Sequence, residues 1–262
     1  MSGIITLTTD FGVKDYYTGA MKAVILGIAP KVRLIDISHN IEPQDVMGGA
    51  WVVRNCAELF PDNTIHLVVV DPGVGTERNP VALRIGNQYY VGPDNGIFSL
   101  LTGEHDYDAV RLNKPEYWRD NSSETFHGRD IFAPVAAHLA NDVPLDQLGE
   151  KIDELVTYRW ASPIADKAGI QGWIVHIDRF GNLVSNIPEK LIREKVEGRS
   201  MKIYVGNTIL HKIVKSYGFV EEGEPAAYIG SAGMLEIAIN KGDASQMLSV
   251  RKGAQISIVL QS

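Results

Sequence analysis

The sequence is poor in cysteine. Its 262 residues include one cysteine, Cys56, so no disulfide can form within the chain, and the composition fits a reducing compartment. Cys56 lies in Trp51–Phe60, whose helical periodicity suits a buried structural thiol. No apolar run approaches the ~20 residues that a membrane helix needs. The chain opens on a strand-like run without the basic and apolar regions of a signal peptide, so a cytoplasmic location is expected and no membrane partner. Basic charge is scarce as well: 25 Lys and Arg stand against 32 Asp and Glu, a net charge of −7. Without a basic stripe, nucleic acid is a poor partner. There is no His-x-His or cysteine pair at metal-ligand spacing. No glycine-rich loop ends in Gly-Lys-Ser/Thr, which excludes a phosphate loop of that kind.

What is present is a chain 45% hydrophobic, enough to bury one large core or two modest ones. Gly3–Thr9, Val32–Ser38 and Thr64–Val70 are apolar and β-branched. Between them Asp15–Ile28 and Gln44–Phe60 have helical spacing, the second just after Pro43. Such βαβαβ alternation predicts a largely parallel sheet covered on both faces. Ligands of such sheets bind beyond the carboxyl ends of the strands. Asp10 and Asp71 both stand there. Val81–Ile85 and Gln88–Val91 flank Gly86-Asn87 as a hairpin. Arg129–Asn141 reads as a helix, with His127 near its N-terminus.

From Thr157 to Gly169 the sequence is irregular, and short strands with glycine turns follow, interrupted by a helix at Glu189–Val196. The expected organisation is an α/β N-terminal domain over residues 1–160, a linker at 161–167 and a smaller C-terminal β-barrel domain over 168–262.

Three segments carry chemistry. Asp71-Pro-Gly-Val-Gly-Thr-Glu-Arg78 and Phe126-His-Gly-Arg-Asp130 supply Asp, Arg and His. An Asp–His pair makes a general base near neutral pH, and a nearby guanidinium favours hydroxide over water. At about 4 Å and an effective dielectric near 20, unit charges interact by roughly 4 kcal/mol. Asp178-Arg-Phe-Gly-Asn182 is either a plain hairpin turn or a clamp in which Phe180 stacks on a base, Asn182 bonds its edge and Asp178 pairs with an ammonium. Ser231, in Tyr228-Ile-Gly-Ser-Ala-Gly233, suits a carboxylate. Asp10 at a strand end suits the two hydroxyls of a ribose or a helix cap.

Together Thr8-Thr-Asp-Phe-Gly12, Asp71-Pro-Gly-Val-Gly75 with Arg78, Phe126-His-Gly-Arg-Asp130, Asp178-Arg-Phe-Gly-Asn182 and Ser231-x-Gly233 resemble the S-adenosyl-L-methionine (SAM) hydroxide adenosyltransferases. These are relatives of the fluorinases and chlorinases, and the resemblance spans nearly the whole chain. It implies a homotrimer whose ligand sits between one subunit's N-terminal domain and its neighbour's C-terminal domain. It also implies Asp71, Arg78 and His127 as a water-activating triad, Asp10 on the ribose, Asn182 and Phe180 at adenine, Asp178 and Ser231 on the methionine, and Glu236 as a further ligand-binding candidate. SAM is then the substrate, and no cofactor or metal is required. Fluorinase-like sequences carry Tyr at the position of Asp71 and Tyr-Ser at His127-Gly128; these departures point to water as nucleophile. Two rival readings remain: a non-catalytic adenosine- or SAM-binding module, and a metal-dependent phosphoesterase built on Asp10, Asp71 and His127.

Overall fold

A computed structural model of the protein describes residues 3–103, 105–158, 160 and 162–261. The chain divides into two compact units, Met1–Tyr158 and Arg159–Ser262. The linker expected at 161–167 starts at Ala161, which lies outside the described residues, and includes a short strand at Ile164–Ala165.

The first unit is built on one sheet of strands β1 (Ile4–Thr9), β2 (Arg33–Ser38), β3 (Ile65–Val69), β4 (Pro80–Ile85), β5 (Gln88–Pro93), β6 (Tyr107–Arg111) and β7 (Glu150–Ile152), in the order β2-β1-β3-β5-β4-β6-β7. Helices α1 (Tyr17–Ile28), α2 (Val46–Cys56), α3 (Ser99–Thr102) and α4 (Ala133–Ala140) accompany it. Side chains alternate across a strand. Ile5, Leu7, Ile65, Leu67 and Val69 therefore share one face, where they join a buried core with Met21 and Ile25 of α1 and Val135 and Leu139 of α4. Each such side chain contributes roughly 1.5–3 kcal/mol when fully buried. On the other face α2 packs closely: a Cβ on Gly49 would lie 3.0 Å from Ile97 and 3.1 Å from Val70.

The sheet is mixed rather than largely parallel. Pairs β1–β2, β1–β3 and β3–β5 are parallel, while β4–β5, β4–β6 and β6–β7 are antiparallel. The β4–β5 hairpin closes at Ile85↔Gln88 over Gly86-Asn87, with Gly86 at φ +55. That two-residue turn reverses the chain and commits the rest of the sheet to antiparallel pairing. Strands β6 and β7 carry too little apolar pattern (Tyr-Asp-Ala-Val-Arg and Glu-Lys-Ile) to stand out in the sequence.

The second unit is a nine-stranded sheet: β8 (Ile164–Ala165), β9 (Gly169–Ile177), β10 (Leu183–Pro188), β11 (Met201–Val205), β12 (Thr208–Leu210), β13 (Ile213–Val214), β14 (Pro225–Ile229), β15 (Met234–Ile239) and β16 (Gln255–Leu260). The path runs β12-β11-β16-β9-β10-β15-β14-β13, with β8 beside β9. Strands β12 and β13, separated only by His211-Lys212, thus lie at opposite edges of the sheet. The chain from Leu210 to Ile213 spans at most about 10 Å, whereas eight flat strands at ~4.8 Å spacing would part the edges by roughly 34 Å. The sheet must therefore curl. It is a barrel-like, open sheet whose edges are joined by the chain at His211-Lys212. Helices α5 (Glu189–Val196) and α6 (Ala244–Met247) complete the unit, and Ile174, Leu183, Ile203, Leu235, Ile237 and Ile256 form its core.

Among the described residues, no helix is long and apolar enough to cross a membrane.

Candidate active site

Strands β1 and β3 are adjacent, parallel and in register at Thr9↔Val69. The residues that follow them, Asp10 and Asp71, therefore reach the same rim, as their positions at strand ends predict. Asp10 Oδ2 accepts the Gln44 N–H at 2.8 Å. Burial raises the Asp10 pKa, and the Asp71 charge adds to the effect. Gln44 itself adopts φ +67, so the helix expected from Gln44 starts only at Val46, capped by Asp45 on the Gly48 N–H.

After Asp71 the chain makes a tight double turn: Val74 N–H donates to Asp71 O, and Thr76 N–H to Gly73 O. Gly75 has φ +76, and a Cβ there would meet the Glu124 carbonyl at 2.9 Å; only glycine fits. The turn brings Arg78 back onto Asp71. Arg78 Nε donates to Asp71 Oδ1 at 2.9 Å and to Oδ2 at 3.1 Å, and Nη2 donates to Oδ2 as well. These side chains are 8% and 5% exposed, and the Arg78 guanidinium lies 5.1 Å over the Phe132 ring.

His127 immediately precedes a π-helical turn, Gly128–Phe132, which continues into α4. Such turns recur at functional sites. Its Nδ1 lies 2.8 Å from Arg78 Nη2. A guanidinium has no acceptor, so Nδ1 accepts and the neutral ring carries its proton on Nε2. Burial, followed by the Arg78 charge, lowers the His127 pKa, which favours the same neutral state.

The three residues thus meet, but in an order the sequence did not give. Arg78 stands between Asp71 and His127, and no direct hydrogen bond joins those two among the described residues. The expected Asp–His general-base pair is not formed, because Arg78 occupies both carboxylate oxygens and the imidazole Nδ1. Two donors remain for a ligand: His127 Nε2–H and Arg78 Nη1, which is buried without a hydrogen-bond partner among the described residues. A buried, unspent donor beside a second one suits a small anionic oxygen.

No group of three His, Cys, Asp or Glu among the described residues is arranged for a metal ion. The guanidinium fills the position between Asp71 and His127 that a divalent cation would take. Phe11, Tyr17 and Phe126 pack as a cluster beside the triad. A Cβ on Gly128 would lie 3.2 Å from Phe126, 3.3 Å from Met21 and 3.4 Å from Phe11, which leaves little room for a side chain there.

The second unit gathers the other candidates. Asp178 Oδ1 accepts the N–H groups of Phe180 (2.8 Å) and Asn182 (2.9 Å), and its Oδ2 accepts Asn182 Nδ2 at 2.9 Å. The segment is therefore a side-chain-braced turn between β9 and β10. Tying Nδ2 to Asp178 leaves Asn182 Oδ1 as an acceptor. Phe180 is 77% exposed. With Asn182, Tyr217, Ile239 and Asp243 it lines a groove of about 460 Å³. Glu236 pairs across β14–β15 with Tyr228, whose hydroxyl donates to Glu236 Oε2 at 2.7 Å. Burial raises the Glu236 pKa, and the Asp178 charge adds to it, so the two carboxylates feel each other. Ser231 is exposed in the β14–β15 turn. Tyr228 is not marked by any motif of its own; the hairpin register around Gly230–Gly233 is the signal that pairs it with Glu236.

Comparison with known proteins follows this division. The family model for the SAM hydroxide adenosyltransferase N-terminal domain matches residues 5–149, and that for the C-terminal domain of the same family matches residues 172–257. The chain is 36% identical over 259 residues to the (R)-S-adenosyl-L-methionine hydrolase of Thermus thermophilus, covering 96% of this chain and 97% of that one. It is 28% identical over 290 residues to the fluorinase of Nocardia brasiliensis, covering 97% and 96%. A crystal structure of an uncharacterized conserved protein from Thermotoga maritima superposes with a TM-score of 0.88 at 38% identity, covering 97% of this chain and 99% of that one.

Proposed function

The chain belongs to the SAM hydroxide adenosyltransferase family, and from that premise we propose that it hydrolyses S-adenosyl-L-methionine to adenosine and L-methionine by attack of water-derived hydroxide at the ribose C5′. The observation that carries this reading is the pair of donors left over at Arg78 Nη1 and His127 Nε2. SAM carries a sulfonium, which departs as a neutral thioether and needs no general acid. The nucleophile is the harder part. Arg78 and His127 hold hydroxide in line with the C5′–S bond, and Asp71 fixes the guanidinium that binds it. Because Asp71 and His127 Nδ1 are both engaged by Arg78, the proton leaves to solvent. The balance is one sulfonium cation and one water giving adenosine, methionine and one proton. Positioning accounts for much of the remaining acceleration.

The second unit supplies recognition. Asn182 Oδ1 accepts from the adenine amino group, with Phe180 against the base. Asp178 and Glu236, two carboxylates that repel each other in the free protein, share the methionine ammonium, and Ser231 bonds its carboxylate. Asp10 takes the ribose hydroxyls. In the homotrimer that the family resemblance implies, a triad works with the clamp of a neighbouring protomer. The exposed Val13, Tyr16 and Tyr17 near Asp10 and the exposed Phe180, Tyr217 and Phe219 are apolar surface of the kind that assembly covers.

Turnover in ¹⁸O-water tests the reaction. Label in the 5′-hydroxyl of the adenosine is the expected result; unlabelled adenosine, or none, rejects it. A binding module would hold SAM without releasing methionine, and a metal-dependent phosphoesterase would lose activity to a chelator. Asn182→Ala should raise KM about tenfold, the equivalent of ~1.4 kcal/mol, and leave kcat within a factor of about three, since one hydrogen bond to a distant part of the substrate is lost. Steady-state kinetics with SAM checks this; an unchanged KM would remove Asn182 from the adenine site.

A further inference from the structure

We propose that Asn95, with Asp94, is a positioning residue that clips both ends of the turn carrying Asp71 and Arg78; the proposal rests on the triad reading above. Strand β5 ends at Pro93, and the next two residues reach back to the catalytic turn. Asn95 Nδ2 donates to the carbonyl of Val70 at 2.8 Å, one residue before Asp71. The Asp94 N–H donates to the carbonyl of Asn79 at 2.9 Å, one residue after Arg78. One side chain and one backbone amide, adjacent in sequence, thus hold the two points where the turn leaves and rejoins the sheet.

The clip is itself braced. Asn95 Oδ1 accepts the Ile97 N–H at 3.3 Å, which orients the amide with its NH₂ toward Val70. Asp94 is a buried carboxylate, and its Oδ1 accepts the Val156 N–H at 2.8 Å. Gly96 has φ +86, and the Tyr158 ring lies where a Cβ would be, 2.2 Å away. Residues 94–96 are therefore fixed by the segment 156–158 on one side and grip the turn on the other.

The consequence for the triad is direct. Strand β3 ends at Val69, and Val70 is fully buried, so Asn95 is the partner that satisfies a buried carbonyl. Without it the Val70 peptide is free to rotate toward another donor, and Asp71 moves with it. Asp71 and Arg78 form one rigid fork, so the displacement passes to Arg78 Nη2 and to its bond with His127. Among the described residues no hydrogen bond joins Asn95 to any of the three side chains; it acts through the peptide that carries Asp71.

The test uses the full chain carrying Asn95→Ala, with Asn87→Ala at the opposite end of the β4–β5 hairpin as control. Two quantities are read: the His127 imidazole NMR signal in the free protein, and kcat and KM for adenosine release from SAM. In Asn95→Ala the His127 signal should move and kcat should fall by about 10- to 100-fold, the scale of an ångström-sized misplacement, with KM within about twofold. Asn87→Ala should change neither. Added to Arg78→Ala, the substitution should cause no further loss of kcat, which a merely structural role would not predict. An unmoved His127 signal overturns the proposal, as does unchanged kcat beside a moved signal. A moved signal with no turnover even in the unsubstituted protein would keep the clip and reject hydrolysis instead. If Asn95→Ala fails to fold, Asn95→Ser, which retains a donor on a shorter side chain, is read by the same criteria.

Discussion

Arg78→Ala should lower kcat for adenosine release by about 10³-fold, the upper range for removing a preorganised donor to a developing or bound anion. The size follows from what one guanidinium does. Its Nε and Nη2 occupy both oxygens of Asp71, its Nη2 also serves His127 Nδ1, and its Nη1 is the buried unspent donor. Removing it deletes the cation that favours hydroxide and the strut that fixes the His127 tautomer. It also leaves the Asp71 side chain, 5% exposed, without a counter-charge, and an unpaired buried carboxylate costs roughly 3–5 kcal/mol. Thermal unfolding must therefore be measured beside kinetics. Arg78→Lys separates the contributions. A lysine restores the charge but is a point donor, unable to bridge Asp71 and His127 with a planar fork; its kcat should stay at least about 10²-fold below normal. If folded Arg78→Ala turned over within about tenfold of the unsubstituted protein, Arg78 would not hold the nucleophile.

Why the meeting of Asp71, Arg78 and His127 was legible in the sequence and the order of their contacts was not follows from the same residues. Parallel strands that are continuously apolar deliver their next residue to one rim, so Asp10 and Asp71 declared themselves by standing after Thr9 and Val70. His127 declared itself by preceding a helical run. The order Asp71–Arg78–His127 depends instead on how the turn folds back. That is decided by Gly75 at φ +76 under the Glu124 carbonyl, a contact between segments far apart in sequence. Composition and spacing contain no trace of it. Asn95 had a signal of the kind that exposed the others, a Pro-Asp-Asn-Gly turn at the end of an apolar strand, but its polar groups face backbone rather than a ligand. In the sheet, a Gly-Asn turn announced the β4–β5 hairpin. The strands beyond it, Tyr107–Arg111 and Glu150–Ile152, pair at the edge with mostly polar side chains, so no periodicity marks them. In the second unit Thr208–Val214 carries apolar pairs at Ile209-Leu210 and Ile213-Val214 on either side of His211-Lys212. Only the curl of the sheet, which needs both edges near His211-Lys212, breaks it in two.

The first unit should also lose stability on acidification through one residue outside the site. His66 on β3 is 3% exposed. It stacks on Tyr90 with ring centroids 4.9 Å apart, and both ring nitrogens are engaged, Nδ1 with Thr6 Oγ1 at 2.8 Å and Nε2 with Gln88 Oε1 at 3.1 Å. The Gln88 oxygen is an acceptor, so the single proton of the neutral ring sits on Nε2 and Thr6 donates to Nδ1. Burial pushes the His66 pKa down from 6.5 to about 4, against a smaller opposing effect of the Gln88 bond. Between those two values the unfolded chain carries a proton that the folded chain does not. The stabilisation from keeping His66 neutral is complete above pH ~6.5, falls as the pH drops, and is gone by pH ~4, a total of about 3 kcal/mol at ~1.4 kcal/mol per unit. Below that, both states are protonated and His66 contributes no further loss. His66→Gln keeps a polar group in the same pocket but cannot titrate. Urea unfolding at pH 7 and pH 4.5, at one protein concentration for both proteins, should therefore give a smaller acid-induced loss in the variant, by about 2 kcal/mol or more over that interval. The other titrating groups are common to both proteins and cancel in the difference. Equal losses in the two proteins would mean that the sheet admits a charged His66 at little cost, through water or an outward turn of the ring, and that acid unfolding begins elsewhere.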